Sequence, residues 1–205
     1  MGKISFEDFI NELKGYQIIL LGEIHGTKEI PDLIKEIIMR LKKEIVLLEI
    51  PENYTNAIER FCKENKDGRG SKEILELIQY LKERKIVVKF IESDQEANKD
   101  KGMFKNTIKH LKGKSIILCG NIHSSYVPLP LFKNPTFAGY MKENLQDKLV
   151  NVNLLPLSGE YNNFGIKTII KKSLKEGIYK NLEDEYDYTF LIKKVTPCSF
   201  YTPDK

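Results

Sequence analysis

Two of the three histidines in this 205-residue chain share one setting. His25 closes the run Gly22-Glu23-Ile24-His25 and His123 closes Gly120-Asn121-Ile122-His123, and the nonapeptides around them (residues 18–26 and 116–124) agree at six of nine positions. Each imidazole follows the last apolar residue of a strand-like run by four positions, with a glycine between that permits a tight turn or a close backbone approach. Carboxylates occur at comparable places. Glu23 lies inside the first motif, Glu49 ends the run IVLL with Glu52 just beyond, and Glu92 and Asp94 follow a third apolar run. A carboxylate directly behind an apolar run is costly to bury unless it is paired, which singles out Glu49.

Imidazoles and carboxylates together support two kinds of chemistry. They can ligate a divalent metal ion, here through His25, His123, Glu23, Glu49 and Asp94. They can also act without metal, a carboxylate orienting or polarising a histidine that serves as general base. The chain contains no Gly-x-Ser-x-Gly elbow, and Ser124 and Ser125 adjoin His123 too closely in sequence to face it, so a water is the expected nucleophile. His110, in the lysine-rich segment IKHLKGK, reads as an exposed surface imidazole.

Elements that alternate along the chain must position these residues. Apolar, β-branched runs at 16–21, 45–49, 85–91, 115–119 and 149–155 read as strands, and between them apolar residues recur at helical spacing. Examples are Ile30, Leu33, Ile34, Ile37, Ile38 and Leu41, and later Ile74, Leu75, Ile78 and Leu81. Two helices follow the second strand, separated by the breaker NKDGRGS (65–71). Further helices are expected around Phe104 to Leu111 and Phe137 to Leu145, the latter after a loop held by Pro128, Pro130 and Pro135. Residues 164–170 and 188–192 read as additional strands. The pattern predicts an α/β fold comprising one domain over residues 1–205, with a mainly parallel central sheet flanked by helices and an antiparallel C-terminal edge. In such sheets ligands bind at the carboxyl edge, where both histidines and the carboxylates would emerge.

Composition sets the outer bounds. With 41% hydrophobic residues and 30% charged residues, a chain of this length can bury roughly 70% of its unfolded surface, which excludes a disordered chain. A net charge of +4 without a basic block gives no grounds for a nucleic-acid or membrane partner. No run approaches the ~18–20 apolar residues of a membrane span, and the charged start MGKISFEDFINELKGYQ has no secretory apolar stretch. Three cysteines without a CxxC pair, Cys62, Cys119 and Cys198, suit small hydrophobes in a reducing compartment, so a cytoplasmic location is expected.

The stretches LLGEIHGT, VLLEIPE and CGNIHSS together resemble the superfamily that joins erythromycin esterases, ChaN-like iron-regulated proteins, TraB/PrgY proteins and Tiki proteases. The final YDYTFLIKKVTPCSFY (186–201) resembles the last strand and Thr-Pro tail of its esterase-like members. The resemblance implies an α/β fold with a site built from Glu23, His25, Glu49 and His123, acting in some members as a hydrolase of a lactone or peptide bond, with metal dependence that differs between branches. It implies a hydrolase of an ester, lactone or peptide bond in a small-molecule or peptide substrate. The alternative is a non-catalytic metal- or haem-binding protein of the ChaN-like type, with Tyr54, Tyr126 or the histidines on iron. A third reading is a partner-binding domain, since Asn121 stands where the first motif has Glu23.

Overall fold

The computed structural model describes residues 2–128, 130, 133–170 and 173–202. The chain runs through β1 (Lys3–Ile4), α1 (Phe6–Leu13), β2 (Ile18–Glu23), α2 (Glu29–Leu41), β3 (Ile45–Pro51), α3 (Ile58–Glu64), α4 (Lys72–Glu83) and β4 (Val87–Glu92). It continues through α5 (Lys99–His110), β5 (Ser115–Gly120), the single turn α6 (Asn121–Ser124), α7 (Phe137–Leu145), β6 (Leu149–Pro156), β7 (Gly159–Asn162), β8 (Ile166–Ile169), β9 (Gly177–Lys180) and β10 (Tyr188–Ile192).

Eight of these strands form one sheet in the order β1-β9-β10-β6-β2-β5-β3-β4. From β10 to β4 every pairing is parallel, and β9 adds antiparallel to β10 and β1 antiparallel to β9. Residues of β2, β5 and β6 are buried on both faces, as a parallel sheet covered by helices requires. Alternate side chains enter different cores. Ile19, Leu21, Val46, Leu48, Ile116 and Leu118 pack with the apolar stripes of α1 to α4, whereas Ile18, Leu20, Leu47, Ile117 and Cys119 pack with Met103 of α5 and Phe137, Ala138 and Met141 of α7.

The expected mainly parallel sheet with an antiparallel edge is present, but different strands carry that edge. Residues 188–192 form a parallel strand beside β6. Of 164–170, only Ile166–Ile169 is extended, and it pairs with β7 in a separate two-stranded hairpin. The antiparallel strand is β9, too short and polar (GIYK) to signal itself by alternation. The strand expected at 85–91 begins two residues later, because Lys85 adopts a left-handed conformation with φ 59°. The first of the two helices expected after the second strand starts at Ile58, after a 3-10 turn over Glu52–Tyr54. Within the expected proline loop, residues 129, 131 and 132 lie outside the described residues.

Three side-chain caps set the ends of helices that matter for the site. Ser71 accepts from the backbone N–H of Ile74 at the start of α4, Asn98 from that of Lys101 at the start of α5, and Thr136 from that of Gly139 at the start of α7. Each satisfies an N–H that the first helical turn leaves unpaired. The Asn98 cap fixes where Lys99 and Asp100 begin their helix.

Candidate active site

Strands β2 and β5 are hydrogen-bonded neighbours, and Glu23 lies opposite Gly120 in the ladder. The sequence echo aligns Gly22 with Gly120, but the ladder pairs Gly22 with Cys119. This offset of one residue puts the equivalent side chains of the two motifs on opposite faces of the sheet. The chain then diverges: Glu23 is still in β2, whereas its counterpart Asn121 opens α6. The two motifs are copies in sequence and not in conformation. Glycine is needed in the first because a methyl group at Gly22 would come within 1.8 Å of Ser124 Oγ, so β2 can pass under α6 only with no side chain there.

Both imidazoles converge on Glu49. His25 Nε2 lies 3.7 Å from Glu49 Oε2, and His123 Nε2 lies 3.7 Å from Glu49 Oε1. Glu49 falls where the β3–β4 register shifts between Leu48 and Pro51, an irregularity of the kind that re-aims a side chain at a strand end. Its Oε2 accepts the backbone N–H of Gly120 at 2.7 Å. Its Oε1 accepts from Lys99 Nζ at 2.7 Å and Arg69 Nη1 at 3.3 Å. The carboxylate is 4% exposed, so these contacts provide the pairing that burial demands.

An outer layer of charge holds this centre. Arg69 also donates to the Glu49 carbonyl at 3.1 Å, to Asp67 through Nε at 2.8 Å, and to Glu92. Lys99 bridges to Glu92 at 3.1 Å. The loop that delivers Arg69 is tied by two Asx-type turns, Asn65 accepting from Asp67 N–H and Asp67 from Arg69 N–H. Its Gly68, at φ +90°, lies against the backbone of Gly26; a Cβ there would meet Gly26 N at 2.4 Å. The C-terminal tail supports both sides of this contact through Thr27–Pro197 and Ser71–Phe200 bridges, and Cys198 N–H donates to the Gly26 carbonyl at 2.8 Å.

The two histidines have different carboxylate partners. Burial alone would push the His25 imidazole towards neutrality, but its hydrogen bond to Glu23 (Nδ1 to Oε1, 3.0 Å) and the nearby Glu49 carboxylate win, and its pKa rises to about 9. His25 is therefore an imidazolium at neutral pH. Burial likewise opposes ionisation of Glu49, yet contact with His25 and the neighbouring cations hold that carboxyl well below its ordinary range. His123 has a different partner: its Nδ1 is 2.8 Å from Asp100 Oδ1, which also accepts the Phe137 backbone N–H at 2.8 Å. The Nδ1 proton of a neutral His123 is thereby committed to Asp100, leaving the Nε2 lone pair on the Glu49 side. Glu23, His25, Glu49 and His123 border a cleft of about 530 Å³, with Tyr161 and Phe164 of the β7–β8 hairpin on its rim.

Glu23, His25, Glu49 and His123 are thus brought together, and Asp94 is not. Asp94 is exposed in the turn after β4 and does not line the cleft; the chain first returns to the site at the capped start of α5, so Asp100 occupies the carboxylate position beside His123. Sequence reading missed Asp100, Arg69 and Lys99. Only Asn98, a cap residue immediately ahead of a charged helical turn, signalled that Lys99 and Asp100 open a helix. Ser124 is buried, its hydroxyl donating to the Asn121 carbonyl, and the Ser125 hydroxyl donates to the Val127 carbonyl. His110 is partly buried rather than exposed, 3.2 Å from Glu52, and is not among the residues bordering the cleft. All three cysteines are buried and free.

The donor set does not fit a divalent metal ion. Glu49 is already engaged by a guanidinium and an ammonium group, and His25 carries the proton a ligand must lose. Among the described residues no three His, Cys, Asp or Glu side chains are arranged to hold a metal. The two tyrosines considered as iron ligands are committed elsewhere: Tyr54 donates to Glu64 at 2.9 Å and Tyr126 to Asp187 at 2.6 Å. Among the described residues no helix is long and apolar enough to cross a membrane.

No protein-family profile matches the chain, and neither does any curated protein. Solved structures do share its fold. A Bacillus cereus protein superposes with a TM-score of 0.79 at 11% identity, over 97% of this chain and 94% of that one. An erythromycin esterase in its open conformation gives 0.66 at 10% identity, over 94% and 95% of the two chains. ChaN of Campylobacter jejuni, solved with cofacially bound haem, gives 0.57 at 16% identity over 92% of each. Two branches of the superfamily that the sequence resembles therefore have the fold of this chain, a mostly parallel α/β sheet.

Proposed function

We propose that the chain is a metal-independent hydrolase of an ester, lactone or peptide bond in a small-molecule or peptide substrate. The observation that carries this reading is the pairing of Asp100 with His123 at 2.8 Å, across Glu49 from an imidazole held protonated by Glu23 and Glu49. In this reading His123, oriented by Asp100, is the base, and the protonated His25 is the cation beside it.

In this mechanism His123 Nε2 takes a proton from a water as the water oxygen attacks the substrate carbonyl. Asp100 fixes the tautomer and stabilises the imidazolium that forms. Negative charge develops on the carbonyl oxygen, and the His25 Nε2–H, which lies beyond direct hydrogen-bond reach of Glu49 at 3.7 Å, is free to donate to it. When the tetrahedral intermediate collapses, His123 returns its proton to the leaving oxygen or nitrogen, releasing an acid and an alcohol or amine. Arg69 and Lys99 keep Glu49 ionised and in place. The likeness to a haem-bound ChaN extends to the fold alone, and the hydroxyls of Tyr54 and Tyr126 are engaged by Glu64 and Asp187.

The test is a hydrolase screen over nitrophenyl esters, lactones and short peptides with the wild type, His123→Ala and His25→Ala. Turnover that disappears in both variants supports the proposal, and wild-type turnover that persists unchanged in both defeats it.

A further inference from the structure

The isoleucine of each Gly-x-Ile-His motif is unused by the acid–base chemistry. Ile24 and Ile122 stand one residue ahead of the two histidines, and both border the cleft. Ile122 is 52% exposed and belongs to none of the apolar cores. The β7–β8 hairpin adds Tyr161 and Phe164 to the same rim. The cations of the cleft are by contrast engaged already. Arg69 pairs with Glu49, Asp67 and Glu92, Lys99 with Glu49 and Glu92, and His25 with Glu23. Among the described residues no cation of the cleft lacks a carboxylate partner, which leaves the apolar rim to grip a substrate.

Phe164 is the least expected of these rim residues. Its ring is 75% exposed, belongs to none of the apolar cores and stacks on no other aromatic ring among the described residues. Its backbone is left-handed, with φ 51°, a conformation that a bulky residue rarely adopts and that glycine or asparagine takes more easily. Both of those types are its neighbours, Asn163 and Gly165, yet the ring also occupies such a position. Backbone bonds hold it there: Phe164 N–H donates to the Lys66 carbonyl at 2.6 Å and Asn162 N–H to the Gly26 carbonyl at 2.8 Å. The turn is thus tied to the loop that delivers Arg69 and to the residue after His25, and neither tie involves the ring. An unfavourable backbone and an unfavourable exposure at one residue, fixed on the rim of a cleft, point to a ligand contact.

We infer that Phe164, with Tyr161, Ile24 and Ile122, forms the specificity surface of the cleft, and that this surface takes an uncharged aryl group lying beside the bond that is cleaved. Its part in cleavage rests on the hydrolase reading, whereas the binding of the ring does not. These side chains bury apolar area without needing a hydrogen bond, and an aryl ligand can set against Phe164 in an offset or edge-to-face arrangement. Because Ile24 precedes His25 and Ile122 precedes His123, a ring seated on them brings the adjoining carbonyl to the two imidazoles. Ile166 marks the limit of the surface: two residues beyond Phe164 and 62% exposed, it does not border the cleft.

The experiment has a binding arm and a turnover arm. In the first, 3-phenylpropanamide and propanamide are titrated into the intact protein while the Ile24 and Ile122 methyl groups are followed by NMR, in the wild type, Phe164→Asn and Ile166→Ala. The aryl amide is expected to shift both sets of methyl signals with an affinity at least about tenfold above that of propanamide, as burial of a ring implies. Phe164→Asn should lose most of that preference with no fall in melting temperature, because asparagine suits the left-handed backbone, and Ile166→Ala should keep it. In the second arm, hydrolysis of methyl 3-phenylpropanoate, 3-phenylpropyl acetate and ethyl acetate to acid and alcohol is compared. At least one aryl ester is expected to exceed ethyl acetate about tenfold or more in kcat/KM, a ratio that collapses in Phe164→Asn. Turnover of none of the esters defeats the hydrolase reading and leaves the binding arm to decide the aryl surface. Equal affinity for the two amides, a preference that survives Phe164→Asn or vanishes equally in Ile166→Ala, a lower melting temperature in Phe164→Asn, or turnover without aryl preference overturns it.

Discussion

The Glu49 carboxylate accepts the backbone N–H of Gly120 at 2.7 Å, joining the ends of two adjacent parallel strands, β3 and β5, at the point where both histidines meet. This bond makes Glu49 a structural keystone for the cleft as well as its central charge. Glu49→Ala would leave Arg69 and Lys99 without that anion and the Gly120 N–H unpaired. Breaking a buried ion pair from one side costs about 3–5 kcal/mol, and urea denaturation should show a loss of that order, with Glu49→Gln losing less because its amide oxygen can still accept from Gly120. A loss below about 1 kcal/mol for the alanine variant, the size of an ordinary surface change, would show that Glu49 does not organise the site.

His25 gives the site a pH signature. Its pKa is raised to about 9 from an ordinary 6.5, so the folded state binds a proton that the unfolded state gives up first. The resulting stabilisation is fully present below pH 6.5 and is lost as pH rises from there through about 9. An NMR titration of the ring carbons should place the His25 midpoint near 9, and Glu23→Gln should lower it by removing the partner at 3.0 Å. A midpoint at or below the ordinary histidine value would remove the reason for giving His25 the cationic role.

The parts legible in sequence were those with a local cause. β2, β3 and β5 announce themselves as continuous apolar runs because a covered parallel sheet buries both faces, and the two Gly-x-x-His motifs end two of those runs. The two last strands on the β1 side of the sheet, Lys3–Ile4 and Gly177–Lys180, lack that signal: two and four residues long, they are held by pairing alone. Asp94 and Asp100 show the limit for the site. Both follow β4 within eight residues, and which one faces His123 depends on the path of the turn and on where Asn98 caps α5. Arg69 was hidden by its setting, since a breaker rich in Asn, Asp and Gly reads as solvated loop until tertiary packing presses Gly68 against Gly26.

Gly22 should tolerate no side chain. A Cβ there would lie 1.8 Å from Ser124 Oγ and 2.8 Å from Ser124 Cβ, and the backbone of a paired strand cannot retreat. Gly22→Ala is expected to cost about 1–3 kcal/mol by overpacking and to displace α6 with His123. Adding Ser124→Ala removes the nearer atom and should recover part of the loss, a coupling that a double-mutant cycle measures. Additive effects would mean that the two residues do not press on one another.

Chelation should leave the protein unchanged. Because the cations at Glu49 are Lys99 and Arg69 rather than an ion, prolonged treatment with EDTA is expected to alter neither thermal stability nor turnover of any ester found in the screen. Added Mn²⁺, Co²⁺ or Zn²⁺ should not stimulate turnover. A fall in activity on chelation, restored by one of these ions, would refute the metal-independent mechanism.

The most selective probe of the mechanism is Asp100→Asn. The substitution keeps the size of the side chain and can still accept the Phe137 N–H that anchors it, so the fold and the position of α7 should survive. What changes is the partner seen by His123 Nδ1. A neutral amide oxygen stabilises the imidazolium formed during proton abstraction far less than a carboxylate, and an amide turned the other way would present N–H to the ring and force the proton onto Nε2. Either outcome weakens the base without emptying the cleft. General-base catalysis contributes about 10²- to 10⁴-fold, so kcat should fall by that order while KM changes little and thermal unfolding stays near that of the wild type. His123→Ala should fall equally far, and the double variant no further, because the two residues act as one unit. If Asp100→Asn keeps full activity, or if its effect adds to that of His123→Ala, Asp100 does not orient the base and another group must be sought for that role.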